Sequence, residues 1–259
     1  MKKYFKNFMK YRHLLVELVK KDVKLKYRRS YLGILWTLLE PLLTMIVLSV
    51  VFGTLFGKDE PTWPVYILTG RLLYSFFSNS TKATMKSIRN HGAMIKKVYV
   101  PKYIYPLSST CSSFVTFLIS LIVLVAVSIV LKVHVTYYVF LAIIPLAILF
   151  VLTYGVGMIL ATMSVFFRDL EYLWSVGLMM IMYTSAIFYE SDRLIKSGYD
   201  WILKYNPVYA IILNFRNAVY YGQGFDTYSL VYSTGFSLVT LVIGLLLFYR
   251  KQDKFILFI

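Results

Sequence analysis

The chain has 259 residues, 59% of them hydrophobic and 15% charged, with a formal net charge of +16. Soluble domains carry about 25% charged residues. A mean hydropathy of +0.66 and recurring apolar runs of about 18 residues or more argue against one and predict a polytopic, all-α membrane protein forming a single domain, 1–259. The basic excess sits beside apolar runs, so it is read as membrane orientation and attraction to anionic lipid, with no nucleic-acid partner.

Residues 1–30 form a basic leader, too charged for a cleavable signal peptide. Phe8, Tyr11, Leu14, Leu15, Leu18, Val19, Val23 and Leu25 recur at helical spacing, with Lys10, His13, Glu17, Lys20, Lys21 and Lys24 opposite. This pattern predicts an amphipathic helix over 4–27, lying in the membrane interface with its lysines toward anionic headgroups. The alternative is a leader that serves only to orient the chain.

A six-span bundle is expected over 31–249. The first span runs over 31–57. Starting it at Pro41 would leave 17 residues, about 25 Å against a hydrocarbon core of about 30 Å. Pro41 is therefore internal; it frees the Thr37 carbonyl and predicts a bend. Glu40 is an acid within the membrane region, costly unless paired or facing water. The second span, 65–87, contains Arg71 and the cluster Tyr74, Phe76, Phe77.

A short basic loop leads into the third span, 103–131, which has no charge. The fourth, 136–167, is longer than a bilayer needs and should tilt or kink near Pro145 or Gly155-Val-Gly157. The fifth, 172–189, is short. After a polar stretch, the apolar part of 206–222 is too short to cross, which suggests a re-entrant or surface helix. The last span is 228–249. With six spans, 21 of the 28 Lys and Arg residues fall on the side of the termini, so both termini are expected in the cytoplasm.

Little in the chain suggests catalysis. His13, His91 and His134 lie far apart in sequence and Cys111 is alone, so no metal site is expected. Gly53-Thr-Leu-Phe-Gly57-Lys58-Asp59 is one residue short of a phosphate loop, and it has Asp where a magnesium-holding hydroxyl is needed. No nucleotide site or other cofactor is expected on this chain.

Motif order is more telling. Tyr27-Arg-Arg-Ser-Tyr-Leu-Gly-Ile-Leu-Trp36, Glu40-Pro-Leu-Leu43, Ile95-Lys-Lys-Val-Tyr-Val-Pro-Lys-Tyr-Ile-Tyr-Pro-Leu-Ser108, Phe166-Phe-Arg-Asp-Leu170 and Asn206-Pro followed by Arg216 together resemble the membrane subunits of type-2 ABC exporters. The likeness is to the Wzm and TagG/TarG branch, which exports O-antigen, capsule-like glycans and teichoic acids; drug or lipid export is the alternative cargo. Arg71 departs from the pattern, since relatives usually have apolar or small residues there.

The resemblance implies a bacterial cytoplasmic-membrane permease working as two copies with two separate ATPase subunits that carry ATP and magnesium. It also implies an undecaprenyl-linked glycan as substrate. By the same resemblance, Ser87, Ile88, Arg89, Asn90, His91, Met94, Ile95, Lys96 and Lys97 would dock in the ATPase as a coupling helix. Lys20, Lys24, Arg28 and Arg29 would form a gate for a lipid-phosphate headgroup. Trp36, Glu40, Tyr172, Trp174, Tyr183, Phe188, Tyr189 and Arg216 would line the translocation path. Interfacial belts or packing are the alternative for each ring.

Overall fold

The computed structural model describes residues 2–28, 30–57, 60–97, 100–134 and 136–258, and of residues 2–9 the backbone only. No strand occurs among the described residues. Helix α1 (Lys2–Tyr27) is followed by α2 (Trp36–Phe56), α3 (Trp63–Asn90), the short α4 (Gly92–Lys97) and α5 (Ile104–Val130). Next come α6 (Ile143–Phe166), α7 (Leu170–Thr184), two short helices α8 (Ser191–Lys196) and α9 (Asp200–Lys204), α10 (Pro207–Val219), α11 (Thr227–Lys251) and α12 (Phe255–Phe258).

Pro41 lies inside α2, as the length argument requires. The carbonyl it frees is not orphaned: Ser120 Oγ of α5 donates to Thr37 O at 3.1 Å. A buried carbonyl without a donor would be costly, so this bond ties α2 to the middle of α5. The fourth predicted span resolves into a 3₁₀ turn, Tyr137–Ala142, and then α6. Pro145 thus falls in the first turn of α6, where a missing N–H costs no hydrogen bond. Gly155 serves close packing. A Cβ there would meet the backbone N of Leu241 at 2.6 Å, and one on Gly244 would meet Gly155 O at 2.6 Å. Helices α6 and α11 touch backbone to backbone at this crossing.

Two larger apolar clusters, with a small third of Ala186, Leu203 and Tyr209, organise the bundle among the described residues. One gathers Leu18 of α1, Ile88 at the end of α3, Ile95 of α4, Ile104 and Tyr105 of α5, Val165 of α6, Phe248 of α11 and Phe255 of α12. Lys102 Nζ adds a bond to Gln252 O at 2.7 Å. Both terminal segments and α4 therefore share one end. The other cluster, with Trp63, Tyr66, Ala142, Ile187 and Phe215, fills the middle and the opposite end. There α10 packs on α3, α6 and α11. Asn206 caps α10 by accepting from Val208 N and Tyr209 N at 3.0 and 3.2 Å, with Pro207 in its first turn.

Helices α3, α5, α6, α7 and α11 lie side by side between the two ends, and α2 joins them from the middle of α5. Four stretches among the described residues are long and apolar enough to cross a membrane: Gly33–Phe56, Ile104–Val130, Tyr137–Phe166 and Thr227–Phe258. α3 has 28 residues but is polar along its second half. α7 has only 15 residues, about 22 Å. The fifth expected span is therefore helical for less of its length than 172–189 suggests.

α1 also differs from a helix resting on lipid alone. Its stripe of Tyr11, Leu14, Leu15 and Leu18 packs on the end cluster. Its last residue, Tyr27, accepts a bond from Thr37 Oγ1 at 2.8 Å. The second half of α1 therefore runs alongside α5, from its first residue to its middle.

Candidate functional site

A polar cleft opens between α1, α2, α3 and α5. Asp22 and Lys26 line it from α1, and Thr37, Glu40 and Thr44 from α2. Arg71, Ser75 and Asn79 line it from α3, and Ser109, Ser112, Ser113, Thr116 and Ser120 from α5. The α5 hydroxyls lie three or four residues apart, so one face of an uncharged helix is polar. Several donate back to their own helix, as Thr116 Oγ1 does to Ser113 O at 2.8 Å, and keep acceptor capacity toward the cleft.

Glu40, an acid with no evident partner in the sequence, is exposed and lines this cleft. Arg71 Nη1 lies 3.9 Å from Met182 Sδ, with the guanidinium 6.0 Å from the Tyr74 ring. At the cleft's α1 wall, burial pushes the Asp22 carboxyl above its ordinary pKa, opposed by His91 and Lys21.

The nine residues of the expected coupling segment divide. Ser87, Ile88 and Ile95, three of that expected set, are buried within this chain. Ser87 Oγ donates to Thr84 O at 2.7 Å. His91 Nδ1 lies 2.9 Å from Ser87 O and its ring stacks on Tyr105 at 4.9 Å. Arg89 pairs with Glu171. Met94 is half-buried, while Asn90, Lys96 and Lys97 are exposed.

Of the expected gate residues, Lys20 pairs with Glu17 at 2.9 Å on the surface. Lys24 and Arg28 are exposed, and Arg29 lies outside the described residues.

The aromatic set divides too. Trp36, Tyr172 and Tyr183 are exposed, the last two at 77% and 55%. Trp174 is half-buried: its Nε1 donates to Thr81 Oγ1 at 3.0 Å and its ring meets Phe77 edge-on. Phe188 is buried, stacked on Phe52 at 4.8 Å. Tyr189 donates to Tyr183 O at 2.6 Å.

Arg216, expected on the path, is 2% exposed within this chain. Nη1 donates to Ala186 O at 2.8 Å, Nη2 to Tyr66 O at 3.1 Å and Ile187 O at 3.2 Å, and Nε reaches Thr69 Oγ1 at 3.4 Å. The Tyr66 ring lies 3.5 Å from its guanidinium carbon. Carbonyls just beyond the C-terminus of α7, the negative end of the helix dipole, stand in for a carboxylate. Ala186 holds a left-handed φ of 47° at this reversal, and Asn206 Nδ2 donates to Thr184 Oγ1 and Ser185 Oγ beside it. Arg216 thus fastens α10 to α3 and to the end of α7.

Two features escaped the sequence reading. One is the polar stripe on α5, legible in the spacing Ser109, Ser112/Ser113, Thr116, Ser120. The other is Glu171, whose partners Lys86 and Arg89 lie more than eighty positions earlier, beyond any local pattern. No group of three or more potential metal ligands occurs among the described residues.

Long apolar helices around a polar cleft, with a short basic helix at the end that holds both termini, define a helical membrane transport subunit. The chain belongs to the ABC-2 type transporter family, whose profile matches residues 13–220. It is 30% identical over 245 residues to an O-antigen export system permease protein RfbA of Klebsiella pneumoniae, covering 93% of both chains. It is 27% identical over 248 residues to the Myxococcus xanthus protein of that name, covering 95% of both. The polysialic acid transport protein KpsM of Escherichia coli is 24% identical over 244 residues, covering 90% of this chain and 91% of that one.

Proposed function

We propose that this chain is the permease half of an ATP-driven exporter that moves a lipid-linked cell-surface polysaccharide across the bacterial cytoplasmic membrane. The observation that carries this reading is end-to-end similarity to O-antigen and polysialic acid export permeases, over 90% or more of each chain. The polar lining of the cleft also suits a hydroxylated cargo better than a small hydrophobic drug.

In this reading two copies form the path and two separate ATPase subunits bind ATP and magnesium. The end holding both termini and α4 faces the cytoplasm, consistent with its Lys and Arg excess. Helices α2, α3, α5, α6, α7 and α11 are the six spans in this reading, and α10 lies on the outer side as a re-entrant element. Exposed Asn90, Lys96 and Lys97 offer the docking surface for the ATPase. Closure of the ATPases on ATP shifts α4, and with it α3 and α5. The exposed lysines of α1 attract the phosphate of the carrier lipid, taken here as undecaprenyl-linked. Tyr172, Tyr183 and Trp36 present ring faces to sugar C–H groups and polar edges to hydroxyls.

Depletion of the protein followed by mass analysis of lipid-linked glycans tests the proposal. Accumulation of a complete glycan on its lipid inside the cell, with loss at the surface, is expected. Unchanged surface polysaccharide with altered drug or lipid efflux would overturn it.

A further inference from the structure

Helix α7 is bound to α3 by an antiparallel series of contacts. Arg71 touches Met182, Tyr74 Oη donates to Leu178 O at 2.8 Å, Trp174 Nε1 donates to Thr81 Oγ1 at 3.0 Å, and Glu171 meets Lys86 and Arg89. Only the last contact carries opposite charges. Both carboxylate oxygens of Glu171 are used: Oε2 lies 2.7 Å from Lys86 Nζ, and Oε1 accepts from Arg89 Nη2. The Glu171 and Arg89 side chains are about three-quarters buried. Charge-assisted bonds of this kind are roughly twice as strong as neutral ones. By contrast, the pairs Lys20–Glu17 and Lys204–Asp200 each lie within one helix and join no two elements.

Position gives this clasp its consequence. Arg89 stands at the end of α3, three residues before α4 begins at Gly92. Glu171 stands in the first turn of α7, immediately before the exposed Tyr172. Beyond α3, α7 packs mainly on α6. The outward side of α7, with Val176, Met179, Met180 and Tyr183, is uncovered within this chain.

We infer that Glu171 is a positioning residue that locks α7 to the end of α3, so that the exposed face of α7 moves with α4 as one unit. The inference rests on the exporter reading above. A displacement imposed on α4 passes to Arg89 and Lys86, then through the carboxylate to the start of α7. Without the charge, α7 keeps its neutral contacts higher up but slides at this end.

The test uses the full chain with its ATPase partner, in a Cys111→Ser background, with spin labels on Lys82→Cys of α3 and on exposed Leu173→Cys in the first turn of α7, beside the clasp. Distances are measured without nucleotide and with ATP and vanadate. With Glu171 present the α3–α7 distance holds. In Glu171→Gln it changes between states by more than about 2 Å, the scale of helix shifts in switching proteins. The ATPase still co-purifies and hydrolyses ATP, while export per ATP falls about tenfold.

A Glu171→Gln protein that holds the distance and exports normally overturns the inference. Should that variant fail to accumulate, the reversed clasp Arg89→Glu with Glu171→Arg, made with Lys86→Gln so that no like charge faces position 171, decides: restored export supports the clasp, and normal accumulation with low export overturns it. If the unaltered chain neither binds an ATPase nor responds to ATP, the exporter reading fails instead.

Discussion

Gly70 and Arg216 make the sharpest physical prediction, because each explains the other. A Cβ at position 70 would lie 2.6 Å from Arg216 Nη2 and 3.3 Å from Ile187 Cγ2. The glycine is there because the guanidinium passes over it. Gly70→Ala forces the buried fork off its carbonyls, an overpacking change costing about 1–3 kcal/mol. Arg216→Ala works from the other side. Ile187 O loses its donor outright; Ala186 O keeps a 3.4 Å contact from Tyr66 Oη, and Tyr66 O keeps the Thr69 hydroxyl at 2.7 Å. One full penalty of about 1–3 kcal/mol for an unpaired buried acceptor, two partial ones and the lost ring contact are offset by relief of a buried cation, for a net of about 3 kcal/mol.

The double variant should cost less than the sum by about 1 kcal/mol or more, since the added methyl then enters space the arginine vacated. Reversible unfolding in mixed detergent micelles, measured for wild type, both single variants and the double, gives the coupling directly. Additivity within about 0.5 kcal/mol would refute the packing argument. Arg216→Lys should fall between wild type and Arg216→Ala, because an ammonium cannot reproduce the planar fork.

Ser120→Ala should destabilise the chain by about 1–2 kcal/mol, because the Thr37 carbonyl released by Pro41 loses its donor. The same unfolding assay reads it, and the effect should shrink when Pro41→Ala restores a donor within α2. Replacing exposed Tyr172 and Tyr183 with Leu should lower glycan export while the melting temperature holds within about 2 °C. Trp174→Leu, which removes the bond to Thr81, should lower the melting temperature itself. Asp22→Asn should stabilise the chain at neutral pH. Burial raises the folded carboxyl above its ordinary value, so the charge destabilises the folded state above its folded pKa and not below its unfolded one. The gain should fade as melting curves move from pH 7 toward pH 4; an equal gain at both ends would rule out titration of Asp22 as its source.

Much of this protein was legible from residue order alone. Apolar run length and the Lys and Arg distribution are local properties, which is why the helices, the amphipathic leader and the internal position of Pro41 emerge before any packing is considered. Motif order placed the family on the same basis. The direction in which each polar or aromatic side chain faces is a different kind of fact, set by which helix happens to lie alongside. Tyr172 and Trp174 are two positions apart, yet one is open and the other is packed on α3. Arg216 read as a charge available to cargo until the reversal after α7 supplied two carbonyls, and α3 a third and a hydroxyl, for its guanidinium. Glu40 read as an isolated acid until four helices closed a polar cleft around it. Glu171 had no visible role until α3 and α7 ran antiparallel. A long-range hydrogen bond or ion pair joins residues that no local periodicity relates, so tertiary structure alone decides between a charge that fastens helices and one that faces a path.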